Sequence, residues 1–220
     1  MTAGPILVIG RTGQVAQALA HAGGAGVICL GRPDADLKVA ASLGQVLDRH
    51  APAAVINAGG FTLVDKAEAE PDEARALNVD GPRALARACR ARGIPLIHLS
   101  TDCVFDGESA RPYRPDDATS PICIYGQTKL DGERAVADEL DRRLIVRVSW
   151  IFSRFGHNFV RTMLSLARTR DRVSVVSDQV GCPTHAPALA SALLDMARQI
   201  AEPGFDAWGT YHLAGRGETD

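Results

Sequence analysis

The chain has 220 residues, 46% hydrophobic and 23% charged, with a net charge of −2. These are ordinary values for a globular protein and suit one large domain, or one domain with a small appendage. No block of like charge points to nucleic acid or a membrane surface, and no apolar stretch of about twenty residues predicts a transmembrane span.

The N-terminal "MTAGPILVIG" lacks a basic region and a long apolar run, so it reads as the approach to a buried strand and not as a signal peptide. "PILVIG" (5–10) is a continuous apolar run, as expected of a strand covered on both faces. A helix (14–23), a strand (26–30), a helix (41–51) and a strand (53–58) follow. Residues 71–93 read as helical with a break near Gly81-Pro82, and "PLIHLS" (95–100) is a fourth strand. A helix (121–140) and a strand (143–149) come next. The remainder reads as a helix near 157–169, a strand near 173–177, a helix at 185–201 and a last strand at 209–215.

Alternating strands and helices predict right-handed crossovers and a parallel sheet. The expected fold class is α/β, a Rossmann-like doubly wound parallel sheet with a small, incomplete C-terminal substrate-binding part. The expected division is a dinucleotide-binding domain over 1–150 and a partial substrate-binding region over 151–220, interleaved with the core. Long loops at 101–120 and 149–157 begin at strand C-terminal ends, the edge where open α/β sheets bind ligands. The five cysteines are odd in number and include no C-x-x-C pair, which fits a reducing cytoplasm and predicts no disulfide framework. The six histidines lack ligand spacing, so no metal site is expected.

"VIGRTGQVAQAL" joins the first strand to the first helix. Gly10, Thr12 and Gly13 form a G-x-x-G turn, and Gln14 and Val15 open the helix behind it. Glycine lets the backbone approach a pyrophosphate, and a helix N-terminus offers free N–H groups. The full G-x-G-x-x-G fingerprint is absent, because Val8 stands at its first glycine. The second strand ends in Leu30-Gly31-Arg32, where NAD binders carry an acid. A guanidinium there suits a 2′-phosphate, so NADPH is the expected cofactor, with NADH as the alternative that nearby Asp34 keeps open. Asp36 and Leu37 belong to the same cofactor-binding stretch.

"HLSTDCVFDG" brings Ser100, Thr101 and Asp102 to the ligand edge of the sheet, and "IYGQTK" puts Tyr125 one helical turn before Lys129. Each piece is weak alone. A strand-end hydroxyl, Y-x-x-x-K on the next helix and a phosphate loop on the first strand form a specific set when they occur in this order.

The chain resembles the extended short-chain dehydrogenase/reductase superfamily and, within it, the dTDP-4-dehydrorhamnose reductase family. The blocks "VINAGGFTLVDKAEAEPDEARALN", "HLSTDCVFDG", "PICIYGQTKLDGE", "IVRVSWIF", "NFVRTML" and "VVSDQVGCPT" carry the resemblance across nearly the whole chain. It implies reduction of the 4-keto group of dTDP-4-dehydro-6-deoxy-L-mannose to dTDP-L-rhamnose with NAD(P)H. Tyr125 is then the general acid, and Lys129 lowers its pKa and holds the nicotinamide ribose. Thr101 polarises the substrate carbonyl. Asn57, Ala58 and Gly59 pass beneath the cofactor. Val64, Asp65, Asp102, Trp150, Asn158 and Arg161 are the implied substrate-binding residues, with a helix cap or a solvated face as the alternative role for Asn158 and Arg161.

Departures from the family pattern are Gly59 and Gly60 where relatives carry alanines, Cys103 for a tyrosine, and Phe152 where a hydroxyl is usual. Relatives continue beyond the position of Asp220, so an intact cofactor half with a partial substrate half is expected. A 4,6-dehydratase or an epimerase is a weaker reading, because Cys103 offers no carboxyl for water elimination. A non-catalytic subunit, resembling the regulatory subunit of methionine adenosyltransferase, is the rival from another class. The oligomeric state stays open, with a homodimer compatible.

Overall fold

The computed structural model describes residues 4–219. Its elements follow in order: β1 (Ile6–Ile9), α1 (Gln14–Gly23), β2 (Val27–Leu30), α2 (Ala40–His50) and β3 (Ala54–Asn57). Two short helices, α3 (Val64–Ala69) and α4 (Pro71–Arg75), precede α5 (Gly81–Arg90) and β4 (Leu96–Thr101). Then come α6 (Ile124–Glu139), β5 (Arg143–Val148), β6 (Ile151–Phe152) and α7 (Phe159–Leu166). β7 (Thr184–His185), α8 (Ala186–Ala201) and β8 (Gly209–His212) complete the described chain.

Six strands form one parallel sheet in the order β2-β1-β3-β4-β5-β8. The chain winds outward from β1 in both directions, so the topological switch lies between β1 and β3. Alternate residues feed two cores. Ile6, Val8, Ala54, Ile56, Ile97 and Leu99 pack beneath α1 and α8. Leu7, Ile9, Val55 and Leu96 pack with residues of α2, α5 and α6 on the other face. The sheet is therefore covered on both sides, as its continuous apolar strands require. Residues beyond 151 contribute to this core, because α8 packs on α1 and β8 pairs with β5.

Three sequence expectations change. Residues 71–90 stay helical instead of breaking, with a π turn over Ala76–Asp80 just before Pro82. Pro82 has no N–H to give the Asn78 carbonyl, and Gly132 of α6 packs on that oxygen, where a side chain would collide with it. No strand forms at 173–177 among the described residues. Val175 and Val176 are exposed there, so their β propensity has no partner edge to act on. The helix expected from 121 starts at Ile124, capped by Cys123, whose Sγ accepts from the Gly126 N–H at 3.3 Å.

Candidate active site

The glycine turn comes first from the sequence upward. Gly10 ends β1 with φ +132°, a conformation that favours glycine, and its N–H donates to the Leu30 carbonyl at 2.6 Å. A Cβ on Gly10 would meet the Ala58 carbonyl carbon at 3.2 Å. Gly13 caps α1, and a Cβ there would meet nothing within 4 Å, so the space in front of the helix is open. A cleft of about 330 Å³ runs from this turn across the switch point, lined by Gly10, Arg11, Thr12, Arg32, Asp36 and Gly59 among others. Its open glycine turn and two guanidiniums fit a dinucleotide phosphate. Arg11 is the one the sequence reading passed over. It lines the cleft and donates to the Arg32 carbonyl at 3.1 Å.

Other expected cofactor residues shape this cleft from behind. Val15 is buried in the core beneath α1. Leu37 packs against Gly59 and Gly81, where Cβ atoms would lie 3.1 Å and 2.7 Å away. The Asp36 carboxylate accepts from the Lys38 N–H at 2.9 Å, which leaves it a turn-forming group at the cleft wall. Asn57 is fully buried, donating to His98 Nδ1 at 3.0 Å and accepting from the Gly59 N–H at 3.2 Å. Gly60 has a physical reason to lack a side chain, since a Cβ would press on Asn78 Oδ1 at 2.8 Å. That carboxamide brackets Phe61, accepting from its N–H at 2.8 Å and donating to its carbonyl at 3.1 Å.

Thr101 ends β4, and its hydroxyl donates to Asp102 Oδ1 at 3.0 Å while accepting from the Cys103 N–H at 3.2 Å. Tyr125, in the first turn of α6, lies near enough to Thr101 for that side chain to act on its phenol. The strand-end hydroxyl and the helix phenol are therefore neighbours. Burial pushes the Tyr125 phenol well above its ordinary range, and Cys103 adds to this. In the protein alone the net shift is upward, whereas the resemblance implies a lowering by Lys129. Lys129 is buried, and its Nζ donates to the Leu99 carbonyl at 2.6 Å. Burial lowers its pKa to about 8, opposed by Glu133. Burial likewise raises Asp102, and it pushes the Cys103 thiol up to about 11.

A buried polar layer beneath α6 escaped the sequence reading. β-strand register sets Asn57 beside His98 and Ser100 beside Arg147, all on the α6 face of the sheet. Arg147 grips Glu133 with Nε and Nη2, at 2.9 Å and 2.7 Å, and the Ser100 hydroxyl donates to the same carboxylate. Glu133 stands one turn beyond Lys129, so the sequence did carry a signal for it.

The implied substrate residues fall into two groups. Val64 and Asp65 open α3 and are exposed. That helix is fastened beside Tyr125, where Glu68 Oε1 accepts from the Ile124 N–H at 2.8 Å. Trp150 has φ +43° and is 39% exposed, with its indole packed so closely on Gly181 that a side chain there would strike the ring. Thr184 N–H donates to the Trp150 carbonyl at 3.1 Å, and β6 pairs with β7 just beyond. Asn158 caps α7, accepting from the Arg161 N–H at 3.1 Å, while its amide donates to Gln14 Oε1 at 2.9 Å and the Ser153 carbonyl at 2.8 Å. Its side chain is thus engaged within the protein. Arg161 donates to the Arg154 carbonyl at 2.5 Å. Gln14 also donates to the Ile151 carbonyl at 3.2 Å, so it ties the glycine turn to the 151–158 segment.

Comparison with known proteins bears on this arrangement. Residues 4–220 match the family described as RmlD substrate binding domain. A dTDP-4-dehydrorhamnose reductase from Sinorhizobium fredii is 44% identical over 97% of this chain and 73% of its own length. The chain belongs to the dTDP-4-dehydrorhamnose reductase family. A family member from Bacillus anthracis, solved in complex with NADP, superposes with a TM-score of 0.92 at 30% identity. That match covers 99% of this chain and 76% of the other. Another, from Clostridium acetobutylicum, gives 0.90 at 34% identity over 98% of this chain and 75% of that one. These two family members therefore share the fold over nearly the whole chain.

Proposed function

We propose that the chain reduces the 4-keto group of dTDP-4-dehydro-6-deoxy-L-mannose to give dTDP-L-rhamnose, with NADPH as reductant. The observation that carries this reading is the neighbouring Thr101 and Tyr125, at the end of β4 and the start of α6, together with a glycine cleft at the switch point in a chain of this reductase family. NADPH, when bound, supplies the hydride for the ketone carbon. Gly10, Thr12, Gly13 and the start of α1 hold its pyrophosphate, and Arg11 with Arg32 holds the 2′-phosphate.

Thr101, turning its hydroxyl hydrogen from Asp102 to the substrate, donates to the ketone oxygen and polarises it. Tyr125 delivers the proton to that oxygen as charge develops there. A phenol kept neutral by burial arrives at the reaction protonated, as a proton donor must. Its ionised form is then stabilised by charge that comes with the cofactor and by Lys129. Lys129 also holds the nicotinamide ribose. Val64, Asp65, Asp102 and Trp150 face the sugar nucleotide, and Arg161 its diphosphate. Asn158 serves this site indirectly, by capping the helix that carries Arg161.

The division into a dinucleotide-binding domain (1–150) and a substrate-binding region (151–220) belongs to the same reading. So do a cytoplasmic location, in keeping with five unpaired cysteines, and a homodimeric assembly. Among the described residues no helix is long and apolar enough to cross a membrane. The test is product identification by NMR after incubation with NADPH and the 4-keto sugar nucleotide. Formation of dTDP-L-rhamnose supports the assignment. NADPH binding without any product would favour a binding subunit.

A further inference from the structure

We propose that Gln14 is a positioning residue for the substrate half of this site: its side chain, rooted in the glycine turn, latches the 151–158 segment and so sets where Arg161 stands. The inference deepens the proposed function and rests on it for the ligand that Arg161 meets.

The latch joins two places far apart in the chain. Gln14 is the first residue of α1, directly after Gly13. Its Nε2 donates to the Ile151 carbonyl at 3.2 Å. Its Oε1 accepts from Asn158 Nδ2 at 2.9 Å, and the Ser153 hydroxyl lies at the same distance from that oxygen. Both polar ends of the carboxamide are therefore spent on one segment. Ser153 and Asn158 are 7% and 6% exposed, so water cannot readily replace these bonds. Gly156 completes the fit. It has φ +59°, and a Cβ there would stand 3.3 Å from Gln14 Cγ. The segment thus folds closely over the stem of the side chain.

What the segment holds is Arg161. Asn158 Oδ1 accepts from the Arg161 N–H at 3.1 Å, and the Arg154 carbonyl accepts from the Arg161 guanidinium at 2.5 Å. Backbone and head group are both fixed by residues of 151–158. Packing adds little, since α7 buries none of its residues and exposes Phe159, Val160 and Leu164. A shift of the segment therefore carries α7 and Arg161 with it. The glycine turn is the place for a cofactor pyrophosphate. One side chain then sets the distance from that phosphate to the guanidinium that meets the substrate diphosphate.

The test combines backbone hydrogen exchange, read by mass spectrometry, with calorimetric binding of dTDP and of NADP+. Gln14→Leu keeps the bulk and the backbone N–H but removes all the side-chain bonds. β6 still pairs with β7, and Phe155 still packs on the core, so the variant should fold. Peptides from 151–166 should exchange about tenfold faster than in the wild type, and those from β3 and β4 should not change. The loss in dTDP affinity should exceed the loss in NADP+ affinity by about tenfold. Asn158→Ser keeps a capping oxygen for α7 but has no amide to reach Gln14. The two substitutions cut the same bond, so together they should lose less than the sum of their separate effects.

If Gln14→Leu does not fold, Asn158→Ser carries the same two readouts with the same expected direction. A folded variant whose 151–166 peptides exchange as in the wild type overturns the inference. So does equal weakening of dTDP and NADP+, which would mark a general loosening of the fold. A wild type that binds NADP+ but no dTDP would remove the proposed function, and the exchange rates alone would then decide whether Gln14 holds the segment.

Discussion

Lys129 Nζ hydrogen-bonds the Leu99 carbonyl at 2.6 Å, so the ammonium lies along β4 and is withdrawn from water. A site that buries an ammonium sacrifices stability for function. The sign follows from the lowered pKa. Between about pH 8 in the fold and about 10.4 in the unfolded chain, the unfolded state holds the proton that the folded state lacks. Stability from this group therefore rises with pH across that window, and the full cost is present below it. Lys129→Met should be more stable than wild type at pH 7 by about 1–3 kcal/mol while losing reductase activity. Urea unfolding at pH 7 and pH 10 checks both the gain and its shrinkage.

His98 predicts the acid side. It is fully buried, bonded through Nδ1 to Asn57, and held neutral well below its ordinary pKa by burial. The unfolded chain takes up this proton as pH falls below about 6.5, so stability is lost from there downward. His98→Gln, which keeps an acceptor for Asn57, should flatten that slope by up to about 1.4 kcal/mol per pH unit. Equal slopes for the two proteins between pH 7 and pH 5 would contradict this.

Backbone contacts on α6 predict a size limit. Gly126 lies against the Cys103 carbonyl and Gly132 against that of Asn78, and an added Cβ at either would overlap the carbonyl oxygen. Alanine at either position should cost about 1–3 kcal/mol or more, because backbone must move. Gly126→Ala should also impair activity, since it displaces the turn that carries Tyr125. Gly13→Ala, with open space around it, should melt close to the wild type.

Cofactor choice follows from the two arginines at the cleft mouth. Arg11→Ala and Arg32→Ala should each weaken NADPH binding about tenfold and leave NADH binding little changed. Cofactor titrations followed by fluorescence read this ratio directly. Equal losses for both cofactors would place the arginines elsewhere than at the 2′-phosphate.

The sequence made some of this readable and hid the rest for identifiable reasons. Thr101, Tyr125 and Lys129 were legible because a strand end and a one-turn spacing are local signals. The Gly10–Gly13 turn was legible because it separates an apolar strand from a helix. Arg147 was hidden, since only the β4–β5 register brings it to Ser100, and only packing of α6 brings it to Glu133. "VDKAEA" is too short and too polar to announce α3 by periodicity. Val173, Val175 and Val176 misled because β-branched residues favour strands only where a partner edge exists. Asn158 could be read as ligand or cap, and the bond from the Arg161 N–H identifies the cap.

The most direct test of the central claim is the rate of NADPH oxidation with the 4-keto sugar nucleotide, in wild type and Tyr125→Phe measured side by side. The account predicts sugar-dependent turnover in the wild type and a loss of about 10²–10⁴-fold in the variant, with cofactor affinity retained. A wild type that binds NADPH but never oxidises it with this sugar, or a variant as fast as wild type, would contradict it.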